Sequence, residues 1–119
     1  MPETQTNLTI HKQTDICIVE FEDRKILEEL AISQIGERLN ELAKEYDKPR
    51  LLLDFKNVEH LSSAALGMLI TLKNQLREQQ GQLVLANINS QIYEVFKITR
   101  LNKLFNIHDT TESAIKAFS

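Results

Sequence analysis

Two adjacent serines, Ser62 and Ser63, are the residues of this 119-residue chain whose types and position suit chemistry. They lie in the stretch LLLDFKNVEHLSSAALGML, residues 51–69, between an apolar segment typical of a strand and an amphipathic segment typical of a helix. A serine at such a junction can cap the helix, because its side-chain oxygen accepts a hydrogen bond from a free backbone N–H group. It can also be a phosphoacceptor, because the free N–H groups and the helix dipole stabilise a phosphoryl group. Residue types and spacing leave both roles open.

The sequence contains no motif typical of a hydrolase, a nucleotide-binding site or a metal site. The serines lack the flanking glycines of the GxSxG nucleophile turn of hydrolases, and the glycine motifs of nucleotide-binding loops are absent. His11, His60 and His108 are scattered without the spacing of metal ligands. The acidic pair Glu22 and Asp23 precedes the first predicted helix, where carboxylates interact favourably with the helix end. We therefore expect no catalytic residue, no cofactor and no metal in this chain.

Composition and charge restrict the class of protein. The chain is 42% hydrophobic and 26% charged, as globular domains are, and its net charge of −3 argues against a nucleic-acid partner. The single cysteine, Cys17, has no internal disulfide partner and is expected to be buried in a reducing compartment. No apolar stretch is long enough to span a bilayer, and the amino-terminal MPETQTN lacks the apolar core of a signal peptide. We expect one cytoplasmic domain, residues 1–119, with no membrane partner.

The elements before the serines are a hairpin and a helix. NLTIHK alternates apolar and polar residues like a half-buried edge strand, and DICIVEF follows after only QTD, so an antiparallel hairpin is expected. From Ile26 to Pro49 the apolar period changes to that of a helix. Its predicted buried stripe is Leu27, Ala31, Ile35, Leu39, Leu42 and Tyr46.

The elements around and after the serines alternate strands with helices. RLLLDF is apolar on both faces and predicts a central strand, and the helix that begins at the serines is expected to end before a cap at Gly81. QLVLANI predicts the next strand, and LNKLFNIH contains a short apolar piece. Asn89 or Ser90 and then Asp109 are predicted caps of two further helices. The inner faces predicted for these two helices are Ile92, Val95 and Phe96, and Ile115 and Phe118.

The predicted order is β-β-α-β-α-β-α-(β)-α, which indicates an α/β fold with a mixed sheet and helices mainly on one face. In such open sheets, ligands and partners meet the carboxyl ends of the strands, where the serines lie. The residues expected to share one core are Leu53, Phe55, Leu69, Leu72, Val84 and Phe96.

The chain resembles the STAS domains of the bacterial anti-sigma factor antagonist family. The resemblance is most specific over residues 51–69 and 81–107, where the strand ending in LDF is followed by a segment similar to the family's DSSGLG. It implies the STAS fold, with a small four- to five-stranded mixed sheet. Aligned through Leu66 and Gly67, the family's phosphoserine corresponds to Ser63, with Ser62 as the alternative acceptor. Ser62 stands in the aspartate position of the motif, and Ala65 replaces a glycine.

The resemblance also implies a binding module, not an enzyme, that regulates transcription by partner switching. The unphosphorylated protein would bind an anti-sigma factor that is also a serine kinase. Phosphorylation of the serine would release this partner, and a PP2C-type phosphatase would reverse the modification. The implied partner-binding residues are Asp23, Ser62, Ser63, Ala64, Gly67 and Met68. The alternative is a STAS scaffold or small-ligand-sensing module that is never phosphorylated.

Overall fold

The computed structural model describes residues 8–13 and 15–118, so the amino-terminal MPETQTN and its expected properties lie outside the described residues. Within these ranges no helix is both long enough and apolar enough to cross a membrane. The strands are β1 (Leu8–Gln13), β2 (Ile16–Phe21), β3 (Lys25–Ile26), β4 (Arg50–Asp54), β5 (His60–Leu61), β6 (Gln82–Ala86) and β7 (Asn106–His108). The helices are α1 (Glu29–Lys44), α2 (Ser63–Glu78), α3 (Ser90–Ile98) and α4 (Thr111–Lys116), with a 3-10 turn at Leu101–Lys103.

The main sheet has five strands in the order β1-β2-β4-β6-β7. β1 and β2 form the predicted antiparallel hairpin, and all later neighbours are parallel. β4 is central and its three leucines are fully buried, because a strand covered on both faces is apolar throughout. The predicted mixed α/β fold, with RLLLDF at the centre of the sheet, is confirmed.

The two faces of the sheet carry separate cores. The larger cluster is covered by α1, α2 and α3 and contains five of the six predicted core residues: Leu53, Phe55, Leu69, Leu72 and Phe96. The prediction for Val84 is wrong, because it packs with Leu52 and Phe118 on the opposite face, beneath α4. Successive residues of a strand point to opposite faces, so β6 sends Leu83 and Leu85 to one core and Val84 to the other.

The start of the first helix differs from the prediction. Lys25 and Ile26 stay extended as β3, and α1 begins three residues later at Glu29. Leu27 therefore lies outside the helix and is 47% exposed. The buried stripe of α1 is Ile32, Ile35, Leu39, Leu42 and Ala43. The prediction that Ala31 belongs to this stripe is wrong, because the neighbouring Ile32 is buried instead. The helix ends at Lys44, well before Pro49, which does not terminate it.

Gly81, which follows α2, is required because the chain packs closely around it, and it does not form the helix cap that was predicted. Gln80, not Gly81, has the left-handed conformation, with a φ of 60°. A Cβ atom on Gly81 would lie 2.5 Å from the carbonyl oxygen of Pro49. The backbone at Gly81 lies this close to Pro49 because the next residue, Gln82, donates its N–H to the same carbonyl oxygen at 2.8 Å.

The last two helices are where they were predicted, with two corrections. Asn89 caps α3 as expected, its Oδ1 accepting the Ile92 N–H at 2.8 Å, but Val95 is 43% exposed and does not belong to the inner face. Thr110, not Asp109, caps α4, since the Thr110 Oγ1 accepts the Ser113 N–H at 3.0 Å.

Candidate functional site

Ser62 is the cap of α2. Its backbone is extended, with φ −86° and ψ 167°, and its Oγ accepts the Ala65 N–H at 3.2 Å. Its carbonyl oxygen accepts the Leu66 N–H at 3.1 Å, the first hydrogen bond of the helix. The predicted serine cap at a helix amino terminus is confirmed, and the Ser62 hydroxyl is engaged in it.

Ser63 is the first residue of α2, and its side chain is exposed. Its hydroxyl makes no hydrogen bond within residues 8–13 and 15–118. The N–H groups of Ser63 and Ala64 precede the first helical bond and therefore have no acceptor inside the helix. An anionic group on the Ser63 oxygen would meet these donors and the positive end of the helix dipole.

A small ribbon holds the serine turn in place. β3 pairs in parallel with β5, so that Lys25 lies opposite His60 and Ile26 opposite Leu61. The ladder continues into the turn, where the Ser62 N–H donates to the Ile26 carbonyl oxygen at 3.1 Å. Two-residue strands have no detectable period in the sequence, so this ribbon could not be predicted. It brings the loop that contains Asp23, which is half-buried, to the serine turn.

One ion pair and two backbone bonds reinforce the ribbon. The Arg24 Nε and Nη2 donate to the two carboxylate oxygens of Glu59 at 3.1 and 3.2 Å. The guanidinium lowers the pKa of the Glu59 carboxyl below its ordinary value. The Arg24 carbonyl oxygen also accepts the N–H groups of Glu59 and His60, at 2.7 and 3.1 Å. Because both side chains of the ion pair are exposed, we assign the positioning chiefly to the backbone bonds.

A buried polar network fixes the strand ends beneath the site. Asp54, at the end of β4, is buried, and its Oδ1 accepts the Asn87 Nδ2–H at 2.8 Å and the Lys56 N–H at 3.0 Å. Asn87 Nδ2 also donates to Thr111 Oγ1 at 2.9 Å, which ties α4 to the same corner. Asn89 Nδ2 donates to the Val58 carbonyl oxygen at 3.2 Å, within the loop that leads to β5. These groups position the loop, since each is engaged in structural bonds.

The remaining predicted contact residues lie on or near one surface. Ala64 and Gly67 are exposed on the first turns of α2. Met68 is half-buried between the helices, since a Cβ atom on Gly36 of α1 would lie 3.2 Å from its Cγ. Met68 therefore offers only part of its surface to a partner.

Exposed apolar side chains at the start of α1 and on α3 were missed by the sequence analysis. Leu27 and Leu30 line a groove with Asp23, and Leu30 is 72% exposed. Val95 and Ile98 lie on the outer face of α3, and Ile98 is 78% exposed. Helical periodicity assigned Leu27 and Val95 to the core, so no sequence signal separated them from buried residues.

Within the described part of the chain, no group of three or more histidine, cysteine or carboxylate side chains could hold a metal ion. His11 and His60 are exposed. His108 is held by Ser113 Oγ at 2.8 Å from Nδ1 and by Asn106 Oδ1 at 3.0 Å from Nε2. Chemically, the serine turn offers an accessible hydroxyl beside free N–H donors.

Comparison with known proteins agrees with this geometry. A sequence model of the STAS domain matches residues 7–114. BtrV of Bordetella bronchiseptica, described as an anti-sigma factor antagonist, is 36% identical over 80 residues, which are 66% of this chain and 69% of that protein. A STAS domain protein of Planctomyces limnophilus, described as an anti-sigma-factor antagonist, superposes with a TM-score of 0.84 at 17% identity, covering 96% of this chain and 98% of its own.

The anti-sigma factor antagonist SpoIIAA also has the same fold. Its unphosphorylated form superposes with a TM-score of 0.70 at 16% identity, covering 93% of this chain and 96% of its own. Its phosphorylated form, from Bacillus, gives 0.69 at 16% identity, covering 94% and 99%. At these identities the structural matches show the fold alone. Since the sequence match extends over nearly the whole chain, this protein belongs to the STAS domain family.

Proposed function

We propose that this protein is an anti-sigma factor antagonist that works by partner switching and is itself not an enzyme. Unphosphorylated, it binds an anti-sigma factor that is also a serine kinase, in the cytoplasm. Phosphorylation of Ser63 ends the binding, and a PP2C-type phosphatase restores it. The observation that supports this best is the division of roles between the serines: Ser62 caps α2 through its hydroxyl, and Ser63 is exposed one residue later. The names of the relatives support the class of partner.

The proposed reaction is a phosphoryl transfer in which the kinase supplies ATP, Mg²⁺ and the general base. The Ser63 oxygen attacks the γ-phosphorus of ATP, the new O–P bond forms, the bond to ADP breaks, and the hydroxyl proton passes to the base. This chain contributes the exposed hydroxyl and the free N–H groups of Ser63 and Ala64, which stabilise the product. The phosphoryl group adds a charge of about −1.5 to −2 at pH 7.

Release follows from the position of this charge. The proposed docking surface comprises Asp23, Ser62, Ser63, Ala64, Gly67 and Met68, so the phosphate would lie within the interface. A charge enclosed by a partner surface loses its hydration, which costs free energy unless the partner supplies a counter-charge. The free protein keeps the phosphate in water, and phosphorylation therefore favours dissociation.

Phosphorylation with the serine-kinase-type anti-sigma factors encoded in the same genome tests the proposal. Mass spectrometry after incubation with ATP should locate one phosphate on Ser63. Ser63→Ala should abolish the modification, and Ser63→Asp should weaken binding. Ser62→Ala is the matched control and should still be phosphorylated. A phosphate on Ser62 would show that acceptor and cap are exchanged.

The second candidate is a scaffold or small-ligand-sensing STAS module that is never phosphorylated. It is favoured by Ser62, which leaves the motif without the aspartate charge beside the acceptor. Failure to detect any phosphate with a kinase that modifies another substrate would support this candidate.

A further inference from the structure

The segment LEEL, residues 27–30, exposes two leucines and two carboxylates at the start of α1. Leu27 is 47% exposed, Leu30 is 72% exposed, and both line one groove together with Glu28. The other charged residues that line this groove are Asp23 and Lys25. Glu28 and Glu29 are exposed, and neither forms an ion pair within residues 8–13 and 15–118. The LEEL segment therefore combines exposed apolar surface with two carboxylates that lack an ion-pair partner.

A second groove, at the carboxyl-terminal end of α2, has the opposite charge. Lys73 and Arg77, one helical turn apart, are the charged residues among its lining residues, and Leu104 is 42% exposed beside them. The remaining lining residues are the buried Leu76, Leu83 and Val84, with Gly81, Gln82 and Asn106. In the described part of the chain neither cation forms an ion pair. We call this surface, defined by Lys73, Arg77 and Leu104, the basic groove.

The two surfaces lie at opposite ends of the main sheet. Gln82 and Asn106 are the first residues of β6 and β7, so the basic groove lies at the amino ends of these parallel strands. β2 and β4 are also parallel, and α1 lies between them in the chain, so α1 begins near their carboxyl ends. Because the sheet separates the LEEL segment from the basic groove, a contact between these surfaces joins two molecules.

We propose that the basic groove of one molecule binds the LEEL segment of a second copy of this chain. Charge complementarity identifies the occupant, because the segment brings two carboxylates to two cations that have no counter-ion within the described residues. The leucines on either side of the carboxylates match the exposed Leu104 and the buried apolar residues of the groove. Pairing of two basic grooves, or of two LEEL segments, would instead bring like charges together. The contact is therefore head-to-tail.

A head-to-tail contact leaves one LEEL segment and one basic groove free at the ends, so further copies add as an open chain or a ring. The basic groove is lined by nine residues, whereas each side of a stable interface has about 20–30. We therefore expect weak association, with a Kd of about 0.1–1 mM. A copy bound to the LEEL segment would also cover the groove that contains Asp23. It would then compete with the anti-sigma factor, a consequence that alone rests on the proposed function.

Charge reversal on each side, measured by sedimentation velocity, tests the contact. The sedimentation coefficient of the natural protein should rise between about 0.02 and 1 mM protein at low salt. It should return towards the monomer value at about 0.5 M salt, because salt screens exposed charges. Glu28→Lys with Glu29→Lys, and separately Lys73→Glu with Arg77→Glu, should each weaken association by about tenfold or more. The chain that carries both reversals should associate again, since every contact then pairs opposite charges and the net charge returns to −3.

Two matched controls separate the contact from general effects of charge and apolar surface. Lys44→Glu with Lys116→Glu changes the net charge as the groove reversal does, at exposed sites outside both surfaces, and should leave association within about twofold. Leu30→Ser should weaken association severalfold, whereas Ile98→Ser, at a residue that is 78% exposed on α3, should not. Circular dichroism checks folding. Glutamine replaces the reversed residues in any variant that does not fold, and it should then weaken association severalfold.

The outcomes that would overturn the inference are distinct. A natural protein that remains monomeric up to about 1 mM at low salt would show that the contact does not form. A folded chain that carries both reversals and stays monomeric would contradict the charge pairing. Association that stops at a dimer of two molecules, or that both reversals leave unchanged, would contradict the head-to-tail contact. No kinase takes part in these measurements, so their failure leaves the proposed function intact, and absence of phosphate on Ser63 leaves this inference intact.

Discussion

Replacing each serine of the turn by alanine should separate the helix cap from the proposed phosphoacceptor. Ser62→Ala removes the oxygen that accepts the Ala65 N–H at 3.2 Å, which leaves that donor without its cap. Ser63→Ala removes an exposed hydroxyl that has no hydrogen bond in the described chain. The two variants delete the same atom one residue apart, so they serve as controls for each other.

The expected changes in the free energy of unfolding differ between the variants in size and in sign. Loss of a serine cap costs about 1 kcal/mol of the free energy of unfolding, within a range of about 0.5–2. Ser63→Ala at an exposed helical position should be neutral or stabilise by up to about 0.5 kcal/mol, because alanine is the better helix former. Ser62→Asp should keep the cap and add a carboxylate at the positive end of α2, which is worth about 0.3–1 kcal/mol.

Urea unfolding followed by circular dichroism measures these differences. With an m-value of about 1–2 kcal/mol per M, a loss of 1 kcal/mol lowers the midpoint by about 0.5–1 M for Ser62→Ala. Ser63→Ala and Ser62→Asp should stay at or above the midpoint of the natural protein. An equal loss for both alanine variants, or a larger loss for Ser63→Ala, would refute the assignment of Ser62 as the cap.

Three further variants or probes test the packing that supports the site. Gly81→Ala should lower the free energy of unfolding by about 1–3 kcal/mol, because its Cβ would lie 2.5 Å from the Pro49 carbonyl oxygen; unchanged urea unfolding would contradict this close approach. Asn87→Ala should cost about 2–3 kcal/mol in the same assay, since it removes a donor from buried Asp54 and places alanine at a φ of 62°, and Asn87→Gly, which relieves only the backbone, should recover about 1 kcal/mol. Burial raises the pKa of the Cys17 thiol, so its contribution to stability is present below the ordinary thiol pKa and is lost as pH rises through the raised value. Iodoacetamide at pH 8 should modify Cys17 far more slowly in the folded than in the urea-unfolded protein, and equal rates would argue against its burial.

Local signals in the sequence determined the central strand, the hairpin and the amino terminus of α2. Three consecutive leucines specify a strand that is covered on both faces, and a serine before an amphipathic stretch specifies a cap. The order of these elements was sufficient for the mixed α/β fold, because parallel strands joined by helices have few possible arrangements. Ser62 and Ser63 were therefore located correctly at a helix amino terminus from the sequence.

Only the tertiary structure decided what surrounds the serines. The pairing of β3 with β5 depends on contacts between residues far apart in the chain, and two-residue strands have no period that reveals them. This pairing moved the start of α1, placed Leu27 outside the core and brought the Asp23 loop to the turn. Likewise, Val84 lies between Leu83 and Leu85 in an apolar strand and Val95 follows a helical stripe. Which core or surface each side chain reaches depends on where the other helices pack. The proposed docking surface depends on these non-local contacts, whereas the position of the proposed acceptor, Ser63, at a helix amino terminus follows from local ones.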